Sequence, residues 1–471
     1  MSTGNRTTSA TRSGDPTGGP FSPAYRLITI ALVALVTIIA FEAMAIATAM
    51  PQAAEDLDAV RGYGLTFSVM LTAQLLGIVL AGVWSDRDGP MPGLYAGQLL
   101  FAVGAAICGL ATSFPILLVG RAVTGLGAGV VIVVLYVVVG QVYPATTRPW
   151  VFSFISAAWV LPSLVGAPLS GWLASTFTWR LVFWVVVPPA LITLAVVARQ
   201  SAAIRGRDDR SDHGTSDRST HRRTARLGAL VALAAGLLQL GTHERFPLLS
   251  WQSLAALAGL GGLLLLTPRL LPAGTLRMAR GIPSIIASRF LLNAAFNGTI
   301  TYVPLMLTQE RGTTLATAGI VLALGSLGWS AGSWVQGLAS MAGRRASLVS
   351  AGGLFLSLGC LGLVLVTALG WPVLLFAPAM VLAGTGMGLA STSLSVLLLD
   401  LAPTGESSRA SAALQLSDVL GSVIGIAGAS ALFASMHTTG GDTRTYLVMW
   451  GALAVVAALV VLGGRRCAVR A

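Results

Sequence analysis

The sequence contains no lysine, and charged residues of all kinds make up only 10% of its 471 positions, whereas 55% are hydrophobic. A water-soluble domain carries about 25% charged residues. A soluble globular protein is therefore excluded, and we expect an integral membrane protein. The net charge of +12 comes from 29 arginines that fall in short segments between apolar runs. Because these arginines form no single basic face, nucleic acid is not expected as a partner.

Cysteine and histidine are also scarce. The three cysteines, Cys108, Cys360 and Cys467, are too far apart in the sequence to indicate a disulfide framework or a metal site. The four histidines fall in or beside expected loops, so a buried histidine base is not indicated either. The string Gly328 to Gly332 matches G-x-S-x-G, but it lies inside an expected helix rather than at a strand-to-helix turn. An intramembrane enzyme is therefore a remote alternative, and we expect no enzyme.

No phosphate-binding loop occurs in the sequence, so ATP is not indicated as an energy source. We expect no cofactor and no metal, with an ion gradient as the source of energy. The use of arginine at every basic position is typical of a GC-rich bacterial genome, and it favours a bacterial plasma membrane as the location.

Fourteen apolar runs have the length of a membrane-spanning helix. They cover residues 27–50, 64–84, 94–113, 116–139, 151–173, 181–198, 227–243, 250–268, 284–307, 316–337, 347–368, 372–398, 412–434 and 446–463. The run at 227–243 is the weakest, so twelve spans with a re-entrant or surface pair is the alternative. The first run is too long for a signal-peptide core and is interpreted as a retained span.

The arginines also predict the orientation of the chain, since positive charge is retained on the cytoplasmic side. With the N-terminus inside, cytoplasmic segments hold 22 arginines and outer loops hold 5, with Arg121 and Arg289 inside helices. An even number of spans returns the C-terminus to the same side. Both termini are therefore predicted to be cytoplasmic, as is the polar linker 199–226, which we expect to be disordered.

An internal repeat relates the two ends of the chain. Phe41 and Glu42 match Phe296 and Asn297 at an offset of 255 residues, and two glycine-containing segments match at offsets of 254 and 259. We therefore predict an all-α membrane protein built from two parallel six-helix bundles with two inserted helices. Its parts are a disordered tail (1–24), the N-terminal bundle (25–198), the linker (199–226), the inserted pair (227–270), the C-terminal bundle (284–463) and a second tail (464–471).

The loop after the second run, "GVWSDRDGPMPGL", resembles the loop signature of the major facilitator superfamily. Gly82, Asp86, Arg87 and Gly89 fit that signature in the first copy, and Gly343, Arg344 and Arg345 fit it in the second. The resemblance implies that these residues form a conformational latch at the cytoplasmic helix ends. The fourth run, "LLVGRAVTGLGAG", is similar to the arginine-bearing helix of the same superfamily, with Arg121, Gly125 and Gly127 at matching positions.

Two further runs resemble the fourteen-helix drug/proton antiporter branch of that superfamily. In "FEAMAIATAMP", Glu42 stands where the branch usually has aspartate. In the fifth run, Gly166 and Gly171 occupy small-residue positions, while Pro168 follows one place after the expected proline. Together with Pro162, these residues are expected to pack and bend the fifth helix.

Glu42 is the most costly of these residues, because an acid near a helix centre costs about 2.5–3.5 kcal/mol on insertion scales. Two interpretations stay open at this point. Glu42 carries a proton during transport, or it is a structural acid paired with Arg121. Arg121 is itself interpreted as part of proton coupling or gating, facing a cavity as the resemblance implies, with a snorkelling side chain as the alternative.

Polar stripes on two late helices supply further candidates for a cavity, and Trp159 on the fifth helix is added to them. Arg289, Asn293, Asn297 and Thr301 recur at intervals of four residues, as do Ser411 and Gln415. Asp418 and Ser422 continue the second stripe. Such stripes turn inward in lipid, where they either line a path or hold helices together. The candidate cavity residues are Glu42, Arg121, Trp159, Asn293, Asn297, Gln415 and Asp418.

These observations favour a secondary transporter that exports amphiphilic or cationic small molecules in exchange for protons. Uptake by proton symport or by facilitated diffusion is the alternative. The expected partners are the substrate, protons and the bilayer, and we expect the chain to act as a monomer.

Overall fold

The computed structural model describes residues 19–23, 25–144, 147–208, 218–242, 250–402, 407–438 and 441–467. These residues form sixteen α-helices and no β-strand. The helices are α1 (Arg26–Asp56), α2 (Tyr63–Asp88), α3 (Pro90–Gly109), α4 (Phe114–Val142), α5 (Arg148–Ala157), α6 (Val160–Thr176), α7 (Trp179–Trp184), α8 (Val187–Asp208), α9 (Arg218–Thr242), α10 (Trp251–Leu270), α11 (Ile282–Gln309), α12 (Leu315–Gly337), α13 (Arg345–Ala368), α14 (Phe376–Leu401), α15 (Ser407–Met436) and α16 (Thr443–Cys467).

Twelve helical segments of the described chain are long and apolar enough to cross a membrane. The prediction of an all-helical protein with many spans is confirmed, but the count of fourteen is not. The predicted span at 151–173 is divided between α5 and α6, and the apolar part of the span at 227–243 is the short segment Arg226–Gly241. The side of the membrane on which the termini lie stays a prediction.

The break between α5 and α6 has a local cause in the sequence. Pro162 has no N–H to donate to the carbonyl of Ala158, and its ring crowds that carbonyl. The helix accordingly stops at Ala157 and resumes at Val160, leaving Trp159 between the two segments. Pro168 lies inside α6 without ending it. Instead of the expected bend, this span therefore has a break, which lies before Pro162, the first of its two prolines.

The predicted linker at 199–226 is helical at both of its described ends. α8 continues to Asp208, and α9 begins at Arg218. Alanine and arginine, which recur in the first of these extensions, are good helix formers, so the backbone ladder continues beyond the apolar run. The expectation of disorder is wrong for these ends, and residues 209–217 lie outside the described part of the chain.

The helices pack as two sets that follow the repeat. In the first set α4 packs against α2 and α3, and α1 packs against α6; in the second set α14 packs against α12 and α13, and α11 packs against α15. The two sets meet where α6 contacts α12 and where α2 contacts α15. This packing agrees with the predicted two-bundle layout, whose exact boundaries stay a prediction.

Glycines on α4 allow its close packing against two neighbours. A Cβ added at Gly125 would lie 2.1 Å from the carbonyl oxygen of Met70 on α2, and one at Gly127 would lie 2.4 Å from the backbone nitrogen of Phe101 on α3. The second set repeats the arrangement, since a Cβ at Gly384 of α14 would lie 1.9 Å from a carbonyl oxygen of α12. Small residues of this kind let helix backbones approach each other in a membrane.

We expect Gly125→Val to lower the free energy of unfolding by about 1–3 kcal/mol or more, because the added methyl groups overpack the contact with α2. Gly140→Val is the matched control on the same helix, since a Cβ there would meet no described atom within 4 Å. Thermal unfolding in detergent measures both variants. Equal shifts for the two variants would contradict the role given to Gly125.

The inserted pair α9 and α10 lies beside the first set. α9 runs along α2, with Gly228 beside Val79, and the Gln239 amide donates to the carbonyl of Ser68 (3.2 Å) and the hydroxyl of Thr72 (2.7 Å). A buried apolar cluster joins α9 and α10 to α2 and α15; its members include Leu75, Val231, Ala235, Leu263, Leu420 and Val423. α9 therefore covers the seam at which α2 of the first set meets α15 of the second.

Candidate functional site

Glu42 and Arg121 form an ion pair in the interior of the first set of helices. The Arg121 Nη1 group donates to Oε1 of Glu42, and its Nε group donates to the carbonyl oxygen of Thr66 at 3.1 Å. The side chain of Arg121 is only 3% exposed and that of Glu42 only 1%. The pair thus links α1, α2 and α4, and it is closed to solvent in this conformation.

Local sequence explains why these groups can meet. Gly125 lies one turn after Arg121, and the absence of a side chain there brings α2 close to α4. The carbonyl of Thr66 on α2 thereby comes within reach of the guanidinium. Of the two interpretations of Glu42, the pairing with Arg121 describes this conformation, in which Arg121 is buried. That Arg121 faces a cavity during transport stays a prediction. The close packing of α2 against α4 at Gly125 excludes solvent, which explains why Arg121 is buried here.

The second carboxylate oxygen of Glu42 is the unusual atom of the pair. Oε2 is buried, and no described residue donates a hydrogen bond to it. An ionised carboxylate in the membrane interior is stable only when paired and hydrogen-bonded, and it is neutralised when its partners are lost. Oε2 is accordingly a position at which a proton can be accepted without breaking a bond to another residue.

A second ionic cluster lies in the other set of helices. The Nε and Nη2 groups of Arg289 on α11 donate to the two carboxylate oxygens of Asp418 on α15, the latter at 2.9 Å. Arg289 also donates to the hydroxyl of Ser391 on α14 (2.7 Å), and the Asn293 amide donates to Asp418 (2.7 Å). The side chains of Arg289 and Asp418 are 13% and 19% exposed, so this cluster is more open than the first.

The structure places the other candidate cavity residues differently. Asn297 donates to the hydroxyl of Ser422 at 3.0 Å, which extends the second cluster along α11 and α15. Gln415 is exposed on α15, and Trp159 is 38% exposed at the break before α6. Neither belongs to the two ionic clusters. Arg289 is absent from the predicted cavity residues, although it lies on the same polar stripe, four residues before Asn293, and could have been predicted from that spacing.

We expect Asp418→Asn to lower the thermal stability clearly, because the partly buried Arg289 then loses its counter-charge. Asp400→Asn is the matched control: Asp400 accepts from Arg345 at 3.1 Å in an exposed pair, and such pairs contribute about 0–1 kcal/mol. Thermal unfolding in detergent compares the two. A larger shift for Asp400→Asn would contradict the structural importance of the second cluster.

The two sets of helices interlock at the end where α1 finishes and α2 begins. The Tyr63 hydroxyl donates to the carbonyl of Thr301 at 2.8 Å, and Gln309 donates to Glu55 at 3.1 Å. Aromatic rings strengthen the contact, since the ring of Tyr302 lies 5.3 Å from that of Tyr63. Each of these contacts joins the first set to the second.

Small residues close the same end between α6 and α12. A Cβ added at Gly171 would lie 2.5 Å from the carbonyl oxygen of Leu315, and one at Gly319 would lie 2.5 Å from the carbonyl oxygen of Ala167. Gly166 instead faces α1, where a Cβ would lie 3.3 Å from that of Met44. Gly171, expected from the sequence to pack the fifth helix, is a contact between the two sets.

The expected latch lies at the opposite end of the helices. The side chains of Asp86 and Arg87 and the surroundings of Gly82 lie outside what the structure describes. Gly89 has a left-handed φ of 75° where α2 passes into α3, a conformation that favours glycine. In the second copy, Arg344 is exposed, Gly343 has open space around it, and Arg345 pairs with Asp400. The latch role of all these residues stays a prediction.

Two helical sets that follow an internal repeat, interlock at one end and carry ionic groups in their interior are typical of multi-pass membrane transporters. Residues 31–426 and 288–465 match the profile of the Major Facilitator Superfamily, and the chain belongs to this family. The resemblance found in the loop and helix signatures is thereby confirmed.

Individual relatives give the same result. An uncharacterized MFS-type transporter of Mycobacterium tuberculosis is 27% identical over 440 residues, which cover 89% of this chain and 61% of the relative. The chain thus spans about three-fifths of the length of that relative. The multidrug efflux pump SdrM of Staphylococcus aureus is 28% identical over 171 residues, covering 36% of this chain and 38% of the pump.

Solved structures agree on the fold. The crystal structure of a peptide transporter, POT, superposes with a TM-score of 0.69 at 16% identity, covering 94% of each chain. That of a D-xylose-proton symporter superposes with a TM-score of 0.61 at 16% identity, covering 92% of this chain and 96% of the symporter. At these identities the likeness concerns the fold alone.

Proposed function

We propose that this transporter exports amphiphilic, cationic small molecules in exchange for protons, and that Glu42 carries the proton. The observation that carries the proposal is the buried Glu42–Arg121 pair with its free Oε2 atom. The partial match to a multidrug efflux pump supports export. The substrate, the direction of transport and the coupling to protons all belong to the proposal.

The cycle follows from the two arrangements that the carboxylate can adopt. When Glu42 is ionised it is held by Arg121, and the pair is sealed as the structure shows. When Glu42 binds a proton, the attraction between the two groups falls, and Arg121, which already donates to the carbonyl of Thr66, is free to reorient toward an incoming group. A cationic substrate would favour the ionised carboxylate and would therefore compete with the proton.

Alternating access supplies the movement. We place both termini in the cytoplasm, so the interlocked end formed by Tyr63, Thr301 and Gly171 would be the outer end, closed in this conformation. The two sets of helices would then rock about the interior clusters, as in other transporters built from repeats. We further propose that the protein works as a monomer in a bacterial plasma membrane, without a cofactor.

The proposal is tested first in cells that lack their own efflux pumps. Cells producing the wild-type chain are loaded with a fluorescent lipophilic cation, and its loss is followed after glucose is added. We expect faster loss than in cells producing Glu42→Gln, and collapse of the proton gradient should remove the difference. Accumulation of the cation in wild-type cells would indicate uptake and overturn the proposal.

A further inference from the structure

Five arginines gather where the inserted pair joins the second set of helices. Arg277 and Arg280 lie in the segment between α10 and α11, Arg269 lies in the last turn of α10, and Arg465 and Arg466 lie in the last turn of α16. All five are exposed. The sequence has no acidic residue between Arg269 and Gln309, and none after Asp442. The patch therefore carries positive charge without nearby acidic residues from its own segments.

The fold holds two of these segments together. Arg466 donates to the carbonyl of Arg277 at 3.2 Å, and the N–H of Gly281 donates to the carbonyl of Arg466 at 3.0 Å. Left-handed backbone at Gly274 (φ 87°), Met278 (φ 49°) and Gly281 (φ 84°) shapes the connecting segment. The arginines consequently sit on a defined turn rather than on a loose tail.

The turn also carries an exposed apolar residue. Leu276 is 69% exposed, although Arg277 follows it directly in the sequence. α10 leads into this turn with Leu264 and Leu265 exposed by 62% and 67%, which is typical of a face in contact with acyl chains. A surface cavity of about 250 Å³ lies in the turn, lined by residues that include Pro268, Leu271 and Arg277.

We propose that this turn binds the headgroup of an acidic phospholipid, independently of what the protein transports. The guanidinium groups of Arg277 and Arg280 would hold the phosphate, with Arg466 positioning the turn, while Leu276 enters the acyl layer. Clusters of arginine beside membrane helices attract anionic lipids. Retention of positive charge on the cytoplasmic side explains the arginines. It does not explain why a hydrogen-bonded turn presents an exposed leucine among them.

Native mass spectrometry of the purified full-length chain tests the proposal, with phosphatidylglycerol, phosphatidylcholine and inorganic phosphate as three separate probes. We expect the wild type to retain phosphatidylglycerol in preference to phosphatidylcholine. Arg277→Gln/Arg280→Gln should weaken that retention roughly tenfold or more. The matched control, Arg61→Gln/Arg444→Gln, removes the same charge at exposed positions of the other end and should leave retention unchanged.

The variant Leu276→Ser distinguishes binding of a phospholipid from binding of a free anion. It should weaken retention of phosphatidylglycerol and leave any response to inorganic phosphate unchanged. Equal losses in the two arginine double variants, equal retention of the two phospholipids, or displacement of phosphatidylglycerol by inorganic phosphate alone would each overturn the proposal. Unfolding temperatures measured without lipid show that the variants are folded.

Discussion

Replacement of Glu42 by glutamine is expected to abolish transport driven by a proton gradient, a loss of at least about a hundredfold, while exchange of substrate across the membrane continues. Glutamine keeps an oxygen that can accept from Arg121, but it cannot bind and release a proton at physiological pH. The proposed rocking of the two sets of helices does not require the charge. Uphill export and gradient-free exchange, measured in the same vesicles, therefore separate loss of coupling from loss of movement.

The stability of this variant needs its own control, because removing one member of a buried ion pair costs about 3–5 kcal/mol. The double variant Glu42→Gln/Arg121→Met removes both charges and should recover the unfolding temperature without recovering coupling. Asp58→Asn, an exposed acid just after α1, should leave transport unchanged. Recovery of coupling in the double variant would contradict the role of Glu42 as the proton carrier.

Gly171→Leu is expected to reduce transport by at least about tenfold by preventing closure of the interlocked end. The added side chain would collide with the carbonyl of Leu315, which belongs to the other set of helices. Since the collision is between sets and not within one, each set should stay folded. Gly337→Leu is the control on α12, because a Cβ at that glycine would meet no described atom within 4 Å.

Spin-label distances show whether Gly171→Leu shifts the conformation. The three native cysteines are buried and are replaced before labels are introduced. One pair of labels at Arg61 and Arg444 reports on the interlocked end, and another at Arg199 and Arg344 reports on the opposite end. The first distance should lengthen and the second should shorten. Unchanged distances, with transport lost, would contradict the closure mechanism.

The positions of the helices could be predicted from the sequence because long apolar runs have few alternatives in a membrane protein. The fifth span shows the limit, since its prolines predicted a bend but not that the helix would stop at Ala157. α9 shows a second limit, because its apolar part is short and one of its contacts with α2 is made by Gln239, an amide whose partner cannot be predicted from spacing.

The candidate site could also be predicted only in part. A charge inside an apolar run is visible in a sequence, so Glu42 and Arg121 were identified, and their pairing was one of two interpretations. The contacts of Tyr63 with Thr301 and of Arg121 with Thr66 were missed because their acceptors are backbone carbonyls, which every residue has. The contact made by Gly171 was missed because its partner lies in the other half of the repeat.

The most direct test of proton-coupled export is a measurement of proton movement during export by the purified protein in vesicles. A pH-sensitive dye reports on one compartment while a lipophilic cation moves through the wild-type protein or through Glu42→Gln. We predict that protons move opposite to the cation in the wild type and that the variant moves no protons. Cation transport by the wild type without proton movement, or with protons moving in the same direction, would contradict proton-coupled export.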